Sequence, residues 1–401
     1  MSISKKKFRV LRIIYDFADE NVQTEGLSPG PYELTVSQGK NPNYKIYVLT
    51  GNLNGKNVKA KKFKYSLCEG RVEVYNLPRA IWKFGPFISS SVFVLPYYFY
   101  FRLTKKINIV HIHQQMGVWL LLYKYLFGWL DKIPFVHTNH ASIKGREMVA
   151  LSKGEKLGFM TKYFEYPLHK FNDYLSTKVA NVLIAVSDDT LKELKDFYNP
   201  KQPIYVIENS VSIDRFKKEG ETIDYGFEKD SKILFNLGRL SKRKGIGVLV
   251  ESLAILPKNF KLVLAGIWEN GYEEHINKLI SRLKLTDRVK YIGKVSNFKA
   301  PAYFRSADIF VLASDHEGLP KVAIEALASG NKVVGSHFKL SHAVPNIFYL
   351  KEKSVKDLTA GILKIDKQEN RYQDTRKVIE EFYSWDAKAK DIEVIYKSLL
   401  K

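Results

Sequence analysis

Residues 315–330, which read DHEGLPKVAIEALASG, contain the first side chains whose types and spacing suggest chemistry. One apolar run precedes this segment and another, KVVG, follows it, which is the order strand, loop, helix, strand of a parallel α/β sheet. Pro320 suits the first helical position, because its missing N–H costs nothing there, and Gly330 suits the left-handed position that ends a helix. The segment therefore predicts a helix over residues 319–329.

The start of that helix predicts a phosphate site. The backbone N–H groups near Leu319, Lys321 and Val322 would be free, and a helix N-terminus attracts phosphate through its partial positive charge. The carboxylate of Glu317 lies in the same loop, and a carboxylate beside a phosphate site indicates a ligand that also carries hydroxyl groups. Phosphate together with hydroxyl groups suggests a sugar nucleotide.

A second cluster lies in residues 238–245, GRLSKRKG, between a predicted strand and a predicted helix. Its two glycines let the backbone approach an anion, and its four cations neutralise phosphate charge. A solvated basic turn is the plain alternative. Four cations at the carboxyl end of a strand favour the phosphate site over that alternative.

A regular alternation of strands and helices positions both clusters. In the first half, strands are predicted at residues 8–15, 45–51, 72–77, 107–113, 135–140 and 182–187. In the second half, they are predicted at 233–238, 261–266, 289–293, 309–314, 332–336 and 347–350, with helices at 245–256, 272–283, 301–306 and 319–329. This alternation predicts an α/β protein with parallel, doubly wound sheets, whose ligands bind at the carboxyl ends of the strands.

The periodicity breaks around Asn199-Pro200, and a short predicted strand at 204–208 leads into a polar segment. We therefore predict a first Rossmann-like domain over residues 1–200 and a second over residues 201–375. Residues 376–401 form one long helical pattern, which is predicted to be a closing C-terminal helix.

Composition limits the classes of partner. The 401 residues are 45% apolar and 26% charged, as in folded proteins, and the single cysteine, Cys68, favours a reducing compartment. No secretory signal opens the chain, which agrees with a cytoplasmic location. The net charge of +22 suggests nucleic acid, anionic lipid or phosphate-bearing substrates as partners. The sequence contains no nucleic-acid recognition motif, so we do not expect nucleic acid.

Residues 84–101 form an uncharged, aromatic stretch of eighteen residues, just at the length limit of a membrane-spanning helix. Pro86, Pro96 and three serines argue against a span. A core helix is the plain interpretation. An interfacial helix, with aromatic rings at the level of the lipid headgroups and basic residues nearby, is the other.

These motifs together resemble the retaining GT-B glycosyltransferases of family 4, which use nucleotide-activated sugars. The family's two glutamates separated by seven residues match Glu317 and Glu325, and its phosphate signature matches Gly238-Arg239 and Lys244-Gly245. Residues 109–113, 136–140 and 206–211 and the Phe382…Trp385 tail resemble further family segments. The likeness covers nearly the whole chain and is strongest over residues 204–336.

The resemblance implies two Rossmann-like domains facing a cleft, and a role for each matching residue. Arg239 and Lys244 would hold the donor diphosphate, and Glu325 would accept hydrogen bonds from the ribose diol. Glu317 would position the transferred sugar, and His140 would contact that sugar. The remaining implied donor contacts are Gly238, Gly318, Leu319, Pro320, Lys321, Gly30 of the loop 26–30, and Val295 near the base.

The implied reaction needs neither a metal ion nor a cofactor, and the nucleoside diphosphate sugar is a substrate. In similar enzymes attack occurs on the same face as departure, so Glu317 is not expected to be a nucleophile. The family often has a Gly-Gly-x-x-Glu loop where residues 337–346 read HFKLSHAVPN, so the donor sugar is not predicted.

We therefore predict sugar transfer to a lipid-linked or membrane-borne glycan by an enzyme at the cytoplasmic face of an anionic membrane. The alternatives are a soluble sugar or polysaccharide acceptor, and a nucleotide-sugar epimerase with the same fold.

Overall fold

The computed structural model describes residues 7–15, 17, 30–51, 64–78, 91–140, 159, 161–315 and 319–401. The chain divides into two compact units. The first unit comprises Met1–Glu208 and Lys388–Lys401, and the second comprises Asn209–Ala387. The predicted boundaries after residues 200 and 375 differ from this division. A strand at Ile204–Val206 still pairs with the first sheet, and the chain returns to the first unit only at Lys388.

The first unit contains an eight-stranded sheet. Its strands are β1 Phe8–Ile14, β2 Tyr44–Thr50, β3 Lys64–Leu67, β4 Val72–Asn76, β5 Ile109–His113, β6 Phe135–Asn139, β7 Val182–Ala185 and β8 Ile204–Val206. Their order is β3-β4-β2-β1-β5-β6-β7-β8, and every pair is parallel except β3 with β4. The parallel strands confirm the predicted class, whereas β3 was not predicted. The strand order reverses between β1 and β5.

Helices of the first unit are α1 Gly30–Lys40, α2 Val94–Lys105, α3 Val118–Phe127, α4 Tyr166–Val179 and α5 Asp188–Tyr198. A 3-10 turn, Gln114–Gly117, and a π-helical turn, Thr161–Glu165, accompany them. Helix α2 contains the last eight residues of the uncharged stretch, and its Tyr98 and Phe101 are fully buried in the core. No helix in the described ranges is long and apolar enough to cross a bilayer.

The second unit contains a six-stranded, wholly parallel sheet. Its strands are β9 Lys232–Leu240, β10 Phe260–Trp268, β11 Val289–Tyr291, β12 Ile309–Leu312, β13 Lys332–Gly335 and β14 Ile347–Tyr349. Their order is β11-β10-β9-β12-β13-β14, so the sheet is doubly wound and its order reverses between β9 and β12. All six strands were predicted, with ends that differ by no more than two residues.

Helices of the second unit cover both faces of this sheet. They are α6 Ile246–Ile255, α7 Tyr272–Arg282, α8 Ala300–Arg305, α9 Lys321–Ala328, α10 Val355–Asp366 and α11 Tyr372–Phe382. One apolar core unites β10 with α6, α7 and α10, and a second unites β9 and β12 with α8, α9 and α11. Helix α10 was not predicted.

Two predictions about helix ends are wrong. Pro320 precedes helix α9 as its N-cap, with ψ of 96°, because α9 begins at Lys321 rather than at 319. The tail is not one helix from residue 376. Helix α11 ends at Phe382, and α12 (Trp385–Leu399) begins after Ser384 forms a β-bridge with Val211. Gly330 has φ of +98°, a positive φ as predicted for the end of its helix.

Candidate functional site

Two paired glycines lie near the carboxyl ends of β9 and β10. Gly238 and Gly266 are paired across these strands, and the N–H of Gly266 donates to the carbonyl of Gly293 after β11 (2.8 Å). Gly266 has φ of +140°, and a Cβ there would lie 1.7 Å from the carbonyl oxygen of Gly238. Only glycine fits at position 266, because the backbones of β9 and β10 approach each other closely there. Gly266 was not among the predicted site residues, although a glycine at the end of successive strands was a visible signal.

The basic turn follows directly at the end of β9. Residues Lys242–Lys244 form one 3-10 turn, and Gly245, with φ of +71°, is the N-cap of α6. Arg239 is exposed near the end of β9, and Lys244 is partly exposed in the turn. The predicted cations thus surround a helix N-terminus at the carboxyl edge of the sheet, which is an arrangement that binds anions.

The basic turn touches the loop that follows β12. The N–H of Asp315 donates to the carbonyl of Arg243 (2.9 Å). The Lys353 ammonium donates to the Asp315 carboxylate (2.5 Å) and to the carbonyl of Lys242 (3.2 Å). A Cβ on Gly245 would lie 2.0 Å from the carbonyl oxygen of Ala313, so the two backbones are in direct contact. The two segments in which sequence predicted a phosphate site therefore meet where the strand order reverses.

The helix after that loop holds the second predicted glutamate. Glu325 is buried (2% exposed), and the Lys321 ammonium lies 3.4 Å from its Oε1. This pair places a carboxylate and a cation on the first turns of α9. Leu319 is partly buried against the core of the second unit. Glu317 and Gly318 lie outside the described residues.

The predicted base contact lies on the same edge of the second sheet. Val295 comes two positions after Gly293 and is partly buried against the apolar core of the unit. The backbone of this segment is therefore anchored next to the glycine edge.

A cavity of about 640 Å³ lies beside the basic turn, between α6 and α7. Its polar lining includes Lys242, Glu251, Tyr272, Arg282 and Lys353. None of the predicted donor residues lines this cavity, so it is not the site that the sequence predicted.

The predicted residues of the first unit lie at the start of helix α1 and directly after strand β6. Gly30 is the buried first residue of α1, and the rest of its predicted loop, 26–29, lies outside the described residues. His140 directly follows β6 and is partly exposed. Its ring centroid is 5.8 Å from that of His113, which ends the neighbouring strand β5.

His113 belongs to a buried polar cluster that sequence reasoning did not assign to the site. Its ring stacks on that of His111 at 4.3 Å. His111 Nδ1 lies 2.6 Å from the Tyr396 hydroxyl, and its Nε2 lies 2.7 Å from the Thr138 hydroxyl. Burial holds the pKa of both histidines well below its ordinary value, and the Arg12 guanidinium lowers it further. Both imidazoles are therefore neutral at physiological pH.

Arg12 anchors this cluster on β1. It is fully buried and donates to the hydroxyls of Thr35 (2.7 Å) and Tyr396 (3.2 Å) and to the side-chain carbonyl of Gln38. An arginine between the apolar residues Leu11 and Ile13 of this strand was the available sequence signal.

Two family profiles match the chain and together span most of it. "Glycosyltransferase Family 4" matches residues 42–215, and "Glycosyl transferases group 1" matches residues 218–382. The junction between the two matches falls within about ten residues of the boundary between the compact units.

Individual proteins show the same likeness. Mannosylfructose-phosphate synthase from Agrobacterium fabrum is 29% identical over 51% of this chain, and the match spans about half (48%) of that relative. The structure of a sucrose-phosphate synthase from Thermosynechococcus elongatus has a TM-score of 0.71 at 17% identity, with 98% of this chain and 99% of that chain covered. An Anabaena protein solved in complex with UDP has a TM-score of 0.61 at 16% identity, with 98% and 100% covered.

Proposed function

The chain belongs to the GT-B glycosyltransferases of the family 4 type, and from this premise we propose a retaining transfer of a sugar from a nucleoside diphosphate sugar to a lipid-linked or membrane-borne glycan. The observation that carries the donor half of this proposal is the contact between the basic turn and the loop after β12. It brings a cluster of cations next to the loop that leads to Glu317.

In the proposed donor complex, the diphosphate lies at the start of α6. Departure of the nucleoside diphosphate places negative charge on its phosphates. Fixed cations at Arg239 and Lys244 and the N-terminus of α6 stabilise that charge in the transition state without a metal ion. A Cβ at Gly238 would meet nothing within 4 Å, so this glycine leaves open space for the diphosphate near the end of β9.

The two glutamates divide the recognition of the rest of the donor. Glu325 accepts hydrogen bonds from the ribose diol, and the Lys321 ammonium lies 3.4 Å from its buried carboxylate. Glu317 positions the transferred sugar without attacking it, and His140 contacts that sugar. The acceptor hydroxyl then attacks on the face that the diphosphate leaves, which retains the anomeric configuration.

The donor assignment is tested by binding of nucleoside diphosphates. Lys244→Ala removes one charge-assisted hydrogen bond, which is worth about 1.5–3 kcal/mol, so the dissociation constant for the preferred nucleoside diphosphate should rise by about 10- to 100-fold. Lys278→Ala, an equal change of charge at an exposed position of α7, should leave the constant unchanged. Calorimetric titration with UDP, GDP and ADP measures both. Wild-type affinity in Lys244→Ala would remove the basis of the assignment.

An apolar surface on the first unit supports a membrane-borne acceptor. We call it the aromatic face. It comprises the exposed large side chains of α2, α3 and the turn after α3, namely Phe99, Tyr100, Leu103, Tyr125, Leu126, Phe127, Trp129 and Leu130. Leu103 and Trp129 are 78% and 76% exposed. The rings of Phe99, Tyr123 and Phe127 touch in sequence, which joins the two helices into one surface.

Cations accompany the aromatic face. Lys106 follows α2 and Lys132 follows the turn after α3, and both are exposed. Aromatic rings with flanking lysines suit the interface of an anionic bilayer, where apolar side chains enter the headgroup region and lysines meet lipid phosphates. We therefore place the enzyme peripherally on the cytoplasmic face of such a membrane.

Sedimentation with vesicles of phosphatidylglycerol and phosphatidylcholine tests this placement. The wild-type protein should co-sediment at low salt and be partly released at high salt, because part of the attraction is electrostatic. The double variant Leu103→Ser, Trp129→Ser should remain in solution, whereas Ile255→Ser, at a 64% exposed position of the second unit, should sediment like wild type. If the wild-type protein does not sediment with these vesicles, a soluble acceptor is favoured. The name of the relative mannosylfructose-phosphate synthase also suggests a soluble acceptor.

A further inference from the structure

The imidazole of His113 is buried, and it forms no hydrogen bond with the part of the chain that the structure describes. Its side chain is 3% exposed, and neither Nδ1 nor Nε2 has a hydrogen-bond partner among the described residues. Its stacked neighbour His111 has a partner on both nitrogens. The two histidines lie two positions apart on one strand and their rings stack, but the described residues provide hydrogen-bond partners only for His111.

An unpaired buried nitrogen is costly, because it loses its water without gaining a protein partner. A purely structural site would be filled at lower cost by an apolar ring of similar shape. The chain instead keeps a polar ring at this position. A bound ligand that forms hydrogen bonds with these ring nitrogens would explain why the position holds a histidine.

The position of His113 indicates where such a partner binds. His113 ends β5 and is in register with Ile14 of β1, at the point where the order of the first sheet reverses. Ligands of open α/β sheets bind at the carboxyl ends of strands at such points. The partly exposed His140, which our proposed function places on the transferred sugar, is the neighbouring ring.

We propose that His113 is a further substrate-binding residue, whose two ring nitrogens form hydrogen bonds with hydroxyl groups of a sugar. A neutral imidazole has one N–H donor and one acceptor nitrogen, and a sugar hydroxyl both donates and accepts. Burial and the Arg12 guanidinium keep His113 neutral, so this pair of functions is retained across physiological pH. This sugar is either the transferred sugar of the donor or a sugar of the acceptor. The inference rests on the proposed function.

Three variants separate ligand binding from packing. His113→Phe keeps a stacked ring and removes both nitrogens, so its melting temperature should equal or exceed that of wild type while kcat/KM falls by about 10- to 100-fold. His111→Phe leaves the hydroxyls of Tyr396 and Thr138 without their ring partner and should melt at a lower temperature. His113→Gln restores one donor and one acceptor and should recover part of the activity.

Two assay arms identify the sugar. If His113 binds the transferred sugar, His113→Phe binds a nucleoside diphosphate normally but loses the extra affinity that the sugar of UDP-glucose or GDP-mannose provides. If it binds the acceptor, donor affinity is unchanged and only the KM for acceptor rises. Wild-type constants in both arms, or a melting temperature for His113→Phe as low as that of His111→Phe, overturn the inference. A wild-type protein that turns over no nucleotide sugar instead overturns the proposed function, and this inference with it.

Discussion

A methyl group at Gly245 should separate the basic turn from the loop after β12. Gly245 has φ of +71°, and its Cβ would lie 2.0 Å from the Ala313 carbonyl oxygen and 2.9 Å from the carbonyl carbon. Both atoms belong to backbone, which cannot rotate away as a flexible side chain would. Gly245→Ala therefore tests the contact on which the proposed donor site depends.

Gly271 supplies the matched control. It is the N-cap of α7 as Gly245 is of α6, its φ is +74°, and a Cβ there would meet nothing within 4 Å. Gly271→Ala should cost about 1–2 kcal/mol, the usual cost of a left-handed conformation for a residue with a Cβ. Gly245→Ala has the same conformational cost. It also needs more than an ångström of backbone displacement, which adds about 2–3 kcal/mol.

Thermal and urea unfolding of the two variants measure the difference. In a unit of this size each kcal/mol lowers the melting temperature by about 2–4 °C, so Gly245→Ala should melt about 5–10 °C below Gly271→Ala. Its affinity for a nucleoside diphosphate should also fall, because the turn and the loop no longer share the Asp315–Arg243 hydrogen bond. Equal stability of the two variants would show that the turn and the loop are not in contact, and would refute the geometry of the proposed site.

Two further predictions concern the first unit. Burial alone would raise the pKa of Glu73, but hydrogen bonds from Lys45, Lys64 and Tyr75 outweigh it and lower the pKa to about 2, below the ordinary 4.5. The ionised carboxylate therefore stabilises the fold above about pH 4.5, and wild type should lose more stability than Glu73→Gln as the pH falls from 5 towards 2; parallel stability profiles would contradict this. Tyr396→Phe removes the hydroxyl that forms hydrogen bonds with Arg12 and His111, and it should lower the free energy of urea unfolding by about 2–3 kcal/mol. A loss below about 0.5 kcal/mol would show that these hydrogen bonds do not anchor helix α12.

The sequence was sufficient for the sheets because their parallel strands are buried on both faces and read as short apolar runs. It was insufficient for β3, since Lys64–Leu67 alternates between exposed and half-buried positions and follows a run of lysines. Helix α10 could have been predicted, because Ser354 caps it and Leu358, Ile362 and Ile365 follow at helical spacing. The break after α11 depends on a bridge to Val211, far away in sequence, so the periodicity of the tail could not show it.

The sequence predicted each candidate donor-binding segment separately. It did not predict that the basic turn and the loop after β12 are in contact. The basic turn and the loop of Asp315 are both visible as strand-to-helix connections. Their contact requires β9 to lie next to β12, which local patterns do not reveal. The difference between His111 and His113 is hidden for the same reason, because the partners of His111 are 27 and 285 residues away. The sequence predicts the chemical character of each segment, whereas the order of the strands determines which segments lie next to one another.

The segment after β13 bears on the choice of donor sugar. Residues 337–346 occupy the loop in which this chain lacks the family's Gly-Gly-x-x-Glu pattern, and Ser336 directly precedes them. Ser336 and His337 both donate hydrogen bonds to the carbonyl of Ser314, at 2.7 and 2.9 Å. Ser314 directly precedes Asp315 and so belongs to the loop that contacts the basic turn and leads to Glu317. The residues proposed to hold the diphosphate match the family's pattern, whereas the segment that supports the loop leading to Glu317 does not. We therefore expect nucleoside diphosphate binding to be shared with relatives, and the choice of sugar to depend on residues 336–346.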